Sequence, residues 1–294
     1  MVKFLGPCLV LATWLSAAPS AQACASCESG DRTLTTLGMG QPFSGRFRIG
    51  SEILQRIDRV GSGDAAIELE EYRWNLATIY TPTWWFALGL HVPLTYRVLT
   101  EANLASHTLI GPGDAGIDTR FTVFRDRVFA PRHLLSLRAG LRFPTGSIEQ
   151  LDAGMPREVQ AGAGALSPSV GLGYTVFSDP FSLFSSSSVV LPLDDGDGNR
   201  APSSLFTTVR LQWQPLSALA VHATASHRWD SKGREGGRPE PDTGGTLLYL
   251  APGLSVLLEE DLVVTLAVAL PAYQDLSGNH RESAVTTLSM VYDL

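Results

Sequence analysis

The residues of this chain best suited to chemistry are arginines. Arg46, Arg48, Arg73, Arg97, Arg120, Arg138, Arg142, Arg210 and Arg228 lie in runs that alternate apolar with polar residues, each on the polar side of its run. Period-two alternation sends successive side chains to opposite faces of a strand. These guanidiniums therefore share the face turned away from the apolar one. A guanidinium is a permanent cation with a planar fork of donors that matches carboxylates and phosphates. Rings of such groups favour anions in pores. Arg73, Arg120, Arg138, Arg142, Arg210 and Arg228 form the predicted lumen-lining set. Acids on the same face are fewer (Glu52, Glu71, Asp118 and Asp293), although the whole chain carries a formal charge of −7. Two readings stay open. The arginines form a positive belt that selects anionic or polar small solutes, or they pair with the acids and brace a closed lumen.

Three further constellations need weighing. Cys24 and Cys27 stand in Cys-Ala-Ser-Cys, followed by Glu28 where a haem-attachment motif needs His. No nearby Cys or His completes a closed zinc site. The pair is a candidate for a small local disulfide or two free thiols, with a soft-metal or redox contact as the other reading. Asp195, Asp197 and Asn199 resemble the start of a calcium loop, but Arg200 replaces the expected glycine and Phe206 the closing glutamate. A turn-forming loop is the simpler reading. His227, Asp230 and Ser231 hold the residue types of a hydrolytic triad near one loop. No G-x-S-x-G, H-E-x-x-H or phosphate loop accompanies them. The chain is read as a non-enzyme without cofactor or metal, and its acidic balance argues against nucleic acid as a partner.

The elements that position the arginines are strands. Residues 1–23 read as a secretory signal: Lys3, the apolar run Leu5–Leu15, and Ala21-Gln22-Ala23 as the cleavage site. Cys8 leaves with it. Residues 24–41 are predicted to be an N-terminal periplasmic segment that plugs a pore or meets a periplasmic partner. Residues 42–294 are predicted to form a barrel. Twelve candidate strands follow: near Phe43–Leu54, Leu69–Tyr80, Trp84–Tyr96, Gly113–Arg125, Leu134–Pro144, Ser167–Phe177, Ser182–Pro192, Ser203–Gln214, Leu219–Trp229, Thr246–Leu258, Leu262–Pro271 and Ala284–Leu294. Four of these runs stop at a proline (Pro93, Pro144, Pro192 and Pro271), which a sheet tolerates at ends, edges and bulges. The four are predicted to mark one rim. Short turns alternate with longer polar loops, the habit of outer-membrane barrels. The expected fold is all-β: a closed antiparallel transmembrane barrel with short periplasmic turns and longer extracellular loops, in the outer membrane of a Gram-negative bacterium. Trp84, Trp85, Phe181 and Trp213 fall near short turns, and Tyr96 and Trp229 near long loops, as two interfacial girdles require.

The stretch Arg142-Phe143-Pro144-Thr145-Gly146 resembles repeated strand ends of the outer-membrane porins labelled "MetA-pathway of phenol degradation". The start Cys24-Ala25-Ser26-Cys27-Glu28-Ser29-Gly30-Asp31, with Thr33–Gly38 after it, looks like a subgroup with a Cys-rich start. The resemblance implies a transporter-like barrel that passes small molecules, hydrophobic ones among them; taken with the arginines, the expected function is an outer-membrane channel or transporter, bathed in lipid, for small anionic or aromatic solutes. It assigns no functional residue. The alternatives are a structural or binding barrel with a plugged lumen, or an outer-membrane lipid hydrolase.

Overall fold

Period two persists through nearly every segment of the folded chain. The computed structural model describes residues 45–61, 66–102, 104–128, 131–146, 162–259 and 261–294. The predicted signal 1–23, the segment 24–41, and Cys24 and Cys27 lie outside the described residues. The strands are β1 (Arg46–Val60), β2 (Ile67–Thr83), β3 (Phe86–Glu101), β4 (Ser106–Pro112), β5 (Gly116–Arg125), β6 (His133–Arg142), β7 (Ser167–Ser178) and β8 (Phe181–Val190). They continue as β9 (Ser204–Leu216), β10 (Leu219–Asp230), β11 (Arg234–Glu235), β12 (Arg238–Pro239), β13 (Gly245–Glu259), β14 (Leu262–Leu276) and β15 (Arg281–Asp293).

Every neighbouring pair is antiparallel, and β1 pairs with both β2 and β15, which closes the sheet into a ring. β4 and β5 are two pieces of one stave, and β11–β12 is a small hairpin outside the ring. The result is a closed antiparallel barrel of twelve staves. Closure leaves no unpaired edge for lipid to meet.

The outward face is apolar. Leu288, Met290 and Tyr292 of β15 are 47%, 49% and 41% exposed, so the side that a soluble protein would bury is here turned out. The alternate positions carry Thr287, Ser289 and Val291. Aromatic residues collect at the short-turn end, where Trp85, Phe86 and Phe121 cluster and the Arg125 guanidinium lies 3.7 Å from the Trp84 ring centroid. Tyr72 and Tyr96 pair toward the other end, 6.2 Å apart. The predicted girdles have their residues in place.

The staves are longer than lipid requires. A membrane-crossing strand needs about 9–11 residues, whereas β1, β2 and β3 have 15, 17 and 16. Their surplus lies at the long-loop end. There the inward residues Val60, Leu69, Leu99 and Leu109 form a small buried apolar cluster. The outward face there is polar, with Arg59 and Glu68 exposed. The polarity of the wall inverts once the strands rise out of the apolar belt.

Two of the four prolines do not end strands. Pro144 and Pro192 follow β6 and β8, but Pro93 and Pro271 lie inside β3 and β14. Pro93 sits where β3 changes partner, pairing with β5 as far as His91 and with β4 from Leu94. Its missing N–H falls at the gap in the neighbouring stave, and its carbonyl accepts the Gly113 amide at 2.8 Å. Pro271 flanks a bulge, where the register against β13 slips between Leu248 and Tyr249. The stretch left outside strands between Trp84–Tyr96 and Gly113–Arg125 is likewise corrected, because it contains β4.

One short turn offers a pH test. The Asp126 carboxylate accepts the amides of Arg132 at 2.8 Å and His133 at 2.9 Å. The His133 amide holds this carboxyl below the usual carboxylate range, with the Arg132 amide adding to it. A depressed folded value means the contribution is whole above the ordinary carboxylate value of about 4 and is lost as pH falls through the folded value. Exchange protection of the Arg132 and His133 amides is expected to be flat from neutral pH to about 4 and to drop below it. In Asp126→Asn that acid step disappears.

Candidate functional site

Inward-facing charge gathers in one band below the apolar cluster. Glu71 of β2 is fully buried and lies between the guanidiniums of Arg56, Arg73 and Arg97, at 2.9, 2.5 and 3.0 Å. Arg56 also reaches Asp58 at 3.4 Å. From the other side, Arg228 of β10 donates from Nε to Asp230 at 2.7 Å and from Nη2 to Glu282 of β15. The Tyr249 hydroxyl donates to Glu282 at 3.1 Å. The Asp230 carboxylate also accepts the Ser204 hydroxyl at 2.6 Å. These residues come from seven staves, and the Arg228–Glu282 contact skips over β13 and β14. The band therefore crosses the interior and does not simply line the wall. Buried charges persist only when paired and hydrogen-bonded, and here four guanidiniums meet four carboxylates.

On the short-turn side of this band lies a cavity of about 140 Å³. Arg56, Arg73, Arg210 and Arg228 line it, with Glu52 as the carboxylate among the lining residues. It exists because the facing wall is built from small side chains, among them Ala251, Ala267 and Ala269. Asn75 donates to Glu52 at 3.0 Å and holds that carboxylate against the β1–β2 wall.

The six predicted arginines divide. Arg73, Arg210 and Arg228 are each 3% exposed and meet at the cavity. Arg120, Arg138 and Arg142 are half-buried on β5 and β6, with Arg120 directly across from Arg138, and lie away from it. The sequence reading missed Arg56, Asp58, Asp230, Tyr249 and Glu282. Arg56 and Asp58 lay past the predicted end of the first strand, and Asp230 and Glu282 fell just outside predicted strands. Continued alternation from Glu52 through Leu54 to Arg56 and Asp58 was the available signal.

The other constellations resolve locally. The Asp195 carboxylate accepts the amides of Asp197 at 2.9 Å and Asn199 at 3.1 Å, an Asx-type turn. That loop is pinned to the β11–β12 hairpin, where the Gly236 amide donates to Asn199 Oδ1 at 2.9 Å. No group of three or more His, Cys, Asp or Glu is disposed to hold a metal ion among the described residues. His227 and Asp230 fall on opposite faces of β10, and the Ser231 hydroxyl accepts the Ser203 amide. The hydrolytic arrangement does not assemble.

A closed twelve-stave barrel with an apolar outer belt and a polar, charged interior is an outer-membrane β-barrel. The chain superimposes on an outer-membrane channel from Pseudomonas putida F1 with a TM-score of 0.70 at 12% identity, covering 86% of this chain and 96% of that one. The translocator domain of autotransporter NalP from Neisseria meningitidis gives 0.51 at 13% identity, over 89% and 93%. The NanC porin gives 0.50 at 6% identity, over 83% and 100%. At such identities the likeness is one of fold. No family model and no curated relative matches the sequence, so the resemblance to the phenol-degradation porins gains no support at family level.

Proposed function

We propose that this chain is a passive outer-membrane channel for small solutes, with an interior that favours anions. The observation that carries the reading is a cavity inside the barrel lined by Arg56, Arg73, Arg210 and Arg228, three of them matched by carboxylates of the band and the fourth lining the cavity with Glu52. Guanidiniums along a lumen present forks of donors to a passing anion, and arginine-lined pores favour anions. The fold likeness to a solved outer-membrane channel supports it as analogy. Export by residues 1–23, and a periplasmic segment 24–41 carrying Cys24 and Cys27 that could meet a partner there, belong to the same reading. The second reading, a barrel that does not conduct, draws on the crossing band of ion pairs around Glu71 and Glu282. Planar-bilayer recording separates them. Discrete conductance steps are expected, with a reversal potential displaced toward chloride under a potassium chloride gradient. A silent bilayer, or a shift toward potassium, would remove the anion channel.

A further inference from the structure

Near its long-loop end β15 carries one residue more than its partner β1. Arg56 stands opposite Val285 and Asp58 opposite Glu282, so two steps along β1 match three along β15. Such a bulge exchanges the faces of the residues beyond it. Val285, Thr287 and Ser289 line the cavity, and unbroken alternation from them would send Arg281 inward and Glu282 outward. With the bulge, Glu282 enters the buried band and Arg281 turns out, directly across from Arg59. The Gln274 side chain holds the shift in place. Its Nε2 donates to the Glu282 carbonyl at 3.1 Å, and its Oε1 accepts the Glu282 amide at 3.0 Å.

Two exposed guanidinium side chains thus face one another on the outside of the wall. Opposed residues of an antiparallel pair have Cβ atoms about 5 Å apart, where like charges repel. Neither arginine makes an ion pair or a side-chain hydrogen bond with another described residue, Glu68 across the β1–β2 seam included. Glu70, the next outward acid, accepts the Tyr72 hydroxyl at 2.7 Å and belongs to the tyrosine girdle. The exposed Ile57 lies two residues below Arg59, about 7 Å along the strand. The pair therefore stands at the upper edge of the apolar belt, at the height of lipid head groups.

We propose that Arg59 and Arg281 together bind a phosphate of a glycolipid in the outer leaflet. Two planar forks at this spacing supply donors to the oxygens of one phosphate monoester. Basic residues at a membrane surface bind phosphorylated head groups. The occupant is a lipid and not a free anion, because the acyl chains of the same molecule run down over Ile57, Ile53 and Trp74, which the wall exposes just below. The pair stands at the long-loop, extracellular end, which selects the outer leaflet. The site lies outside the lumen, so its success or failure is separate from that of the channel reading.

Native mass spectrometry of the full chain refolded in detergent, with lipid A as the probe, reads the complex. Bisphosphorylated lipid A is expected to bind, and its dephosphorylated form to bind about tenfold or more weaker. Arg59→Gln combined with Arg281→Gln should weaken lipid A binding by a similar factor, whereas Arg125→Gln at the opposite rim should leave it unchanged. Should the double variant lack the β-sheet circular dichroism of the parent, the single Arg281→Gln is read in its place, with a loss of about threefold or more. Equal binding of the two forms of lipid A, undiminished binding by whichever of these variants folds, or an equal loss in Arg125→Gln would overturn the site. Phosphatidylglycerol binding as tightly as lipid A, or displacement of lipid A by an equal concentration of inorganic phosphate, would overturn the glycolipid as its occupant.

Discussion

Glu71→Gln is expected to lower the stability of the barrel by about 3–5 kcal/mol, the cost of breaking a buried ion pair from one side. Three guanidiniums, Arg56, Arg73 and Arg97, converge on this carboxylate from three staves, and it is fully buried. Glutamine keeps the shape and one acceptor but removes the charge, so the cations left behind lose their counter-charge in a place water does not reach. The urea midpoint should fall with the slope unchanged, which identifies lost stability and not a change in the surface exposed on unfolding. The reversal potential should move further toward chloride, since the same change adds net positive charge to the band. Arg97→Gln in the Glu71→Gln background should recover part of the loss, and the double-mutant cycle then gives the coupling directly. An unchanged urea midpoint would mean that lumenal water solvates the carboxylate. The network would then be a decoration of the wall and not a brace.

Why this carboxylate was legible, while its partners on β1 and β15 were not, has a physical answer. Glu71 and Arg73 lie where the outer face is still apolar, with Trp74 and Leu76 exposed to the membrane side, and the alternation there is clean. Arg56 and Asp58 lie beyond Leu54, where the outward positions Gln55 and Arg59 flank a still apolar Ile57 and the inward position Val60 turns apolar. An alternation diluted by polar residues on both faces reads as an alternation that stops. The strand was therefore cut short at the height where the wall leaves the lipid. Glu282 and Asp230 were lost because they stand at the long-loop ends of β15 and β10, where the sequence runs into polar loop residues. Pro93 and Pro271 misled differently. The rule that proline avoids the ladder holds, but it is satisfied at Pro93 by a change of partner and at Pro271 by a bulge. Neither device has a sequence signature at the proline itself. The number of staves survived all of this because it depends on the count of turns. The crossing contacts could not be read at all, since Arg228 and Glu282 are 54 residues apart with two staves between them.

That crossing contact makes the sharpest claim about conduction. Arg228→Gln is expected to raise single-channel conductance several-fold while weakening anion preference. Neighbouring strands lie about 4.8 Å apart, so the path along the wall from β10 through β13 and β14 to β15 is roughly 14 Å. The guanidinium takes a chord inside that arc, with Asp230 held through Nε and Glu282 through Nη2. A chord across a barrel occupies its bore. Glutamine is shorter and uncharged, so it cannot hold both carboxylates and leaves two negative charges facing the lumen. The bore widens and its charge becomes more negative. Glu71→Gln shifts selectivity the opposite way, so the pair of variants separates a change in charge from a general loosening of the barrel. Arg228→Lys keeps the charge but lacks the planar fork, and it should retain anion preference while conducting more than the parent. If Arg228→Gln conducts at the parent level, the ions pass elsewhere in the section, along the β5–β6 side where Arg120, Arg138 and Arg142 lie.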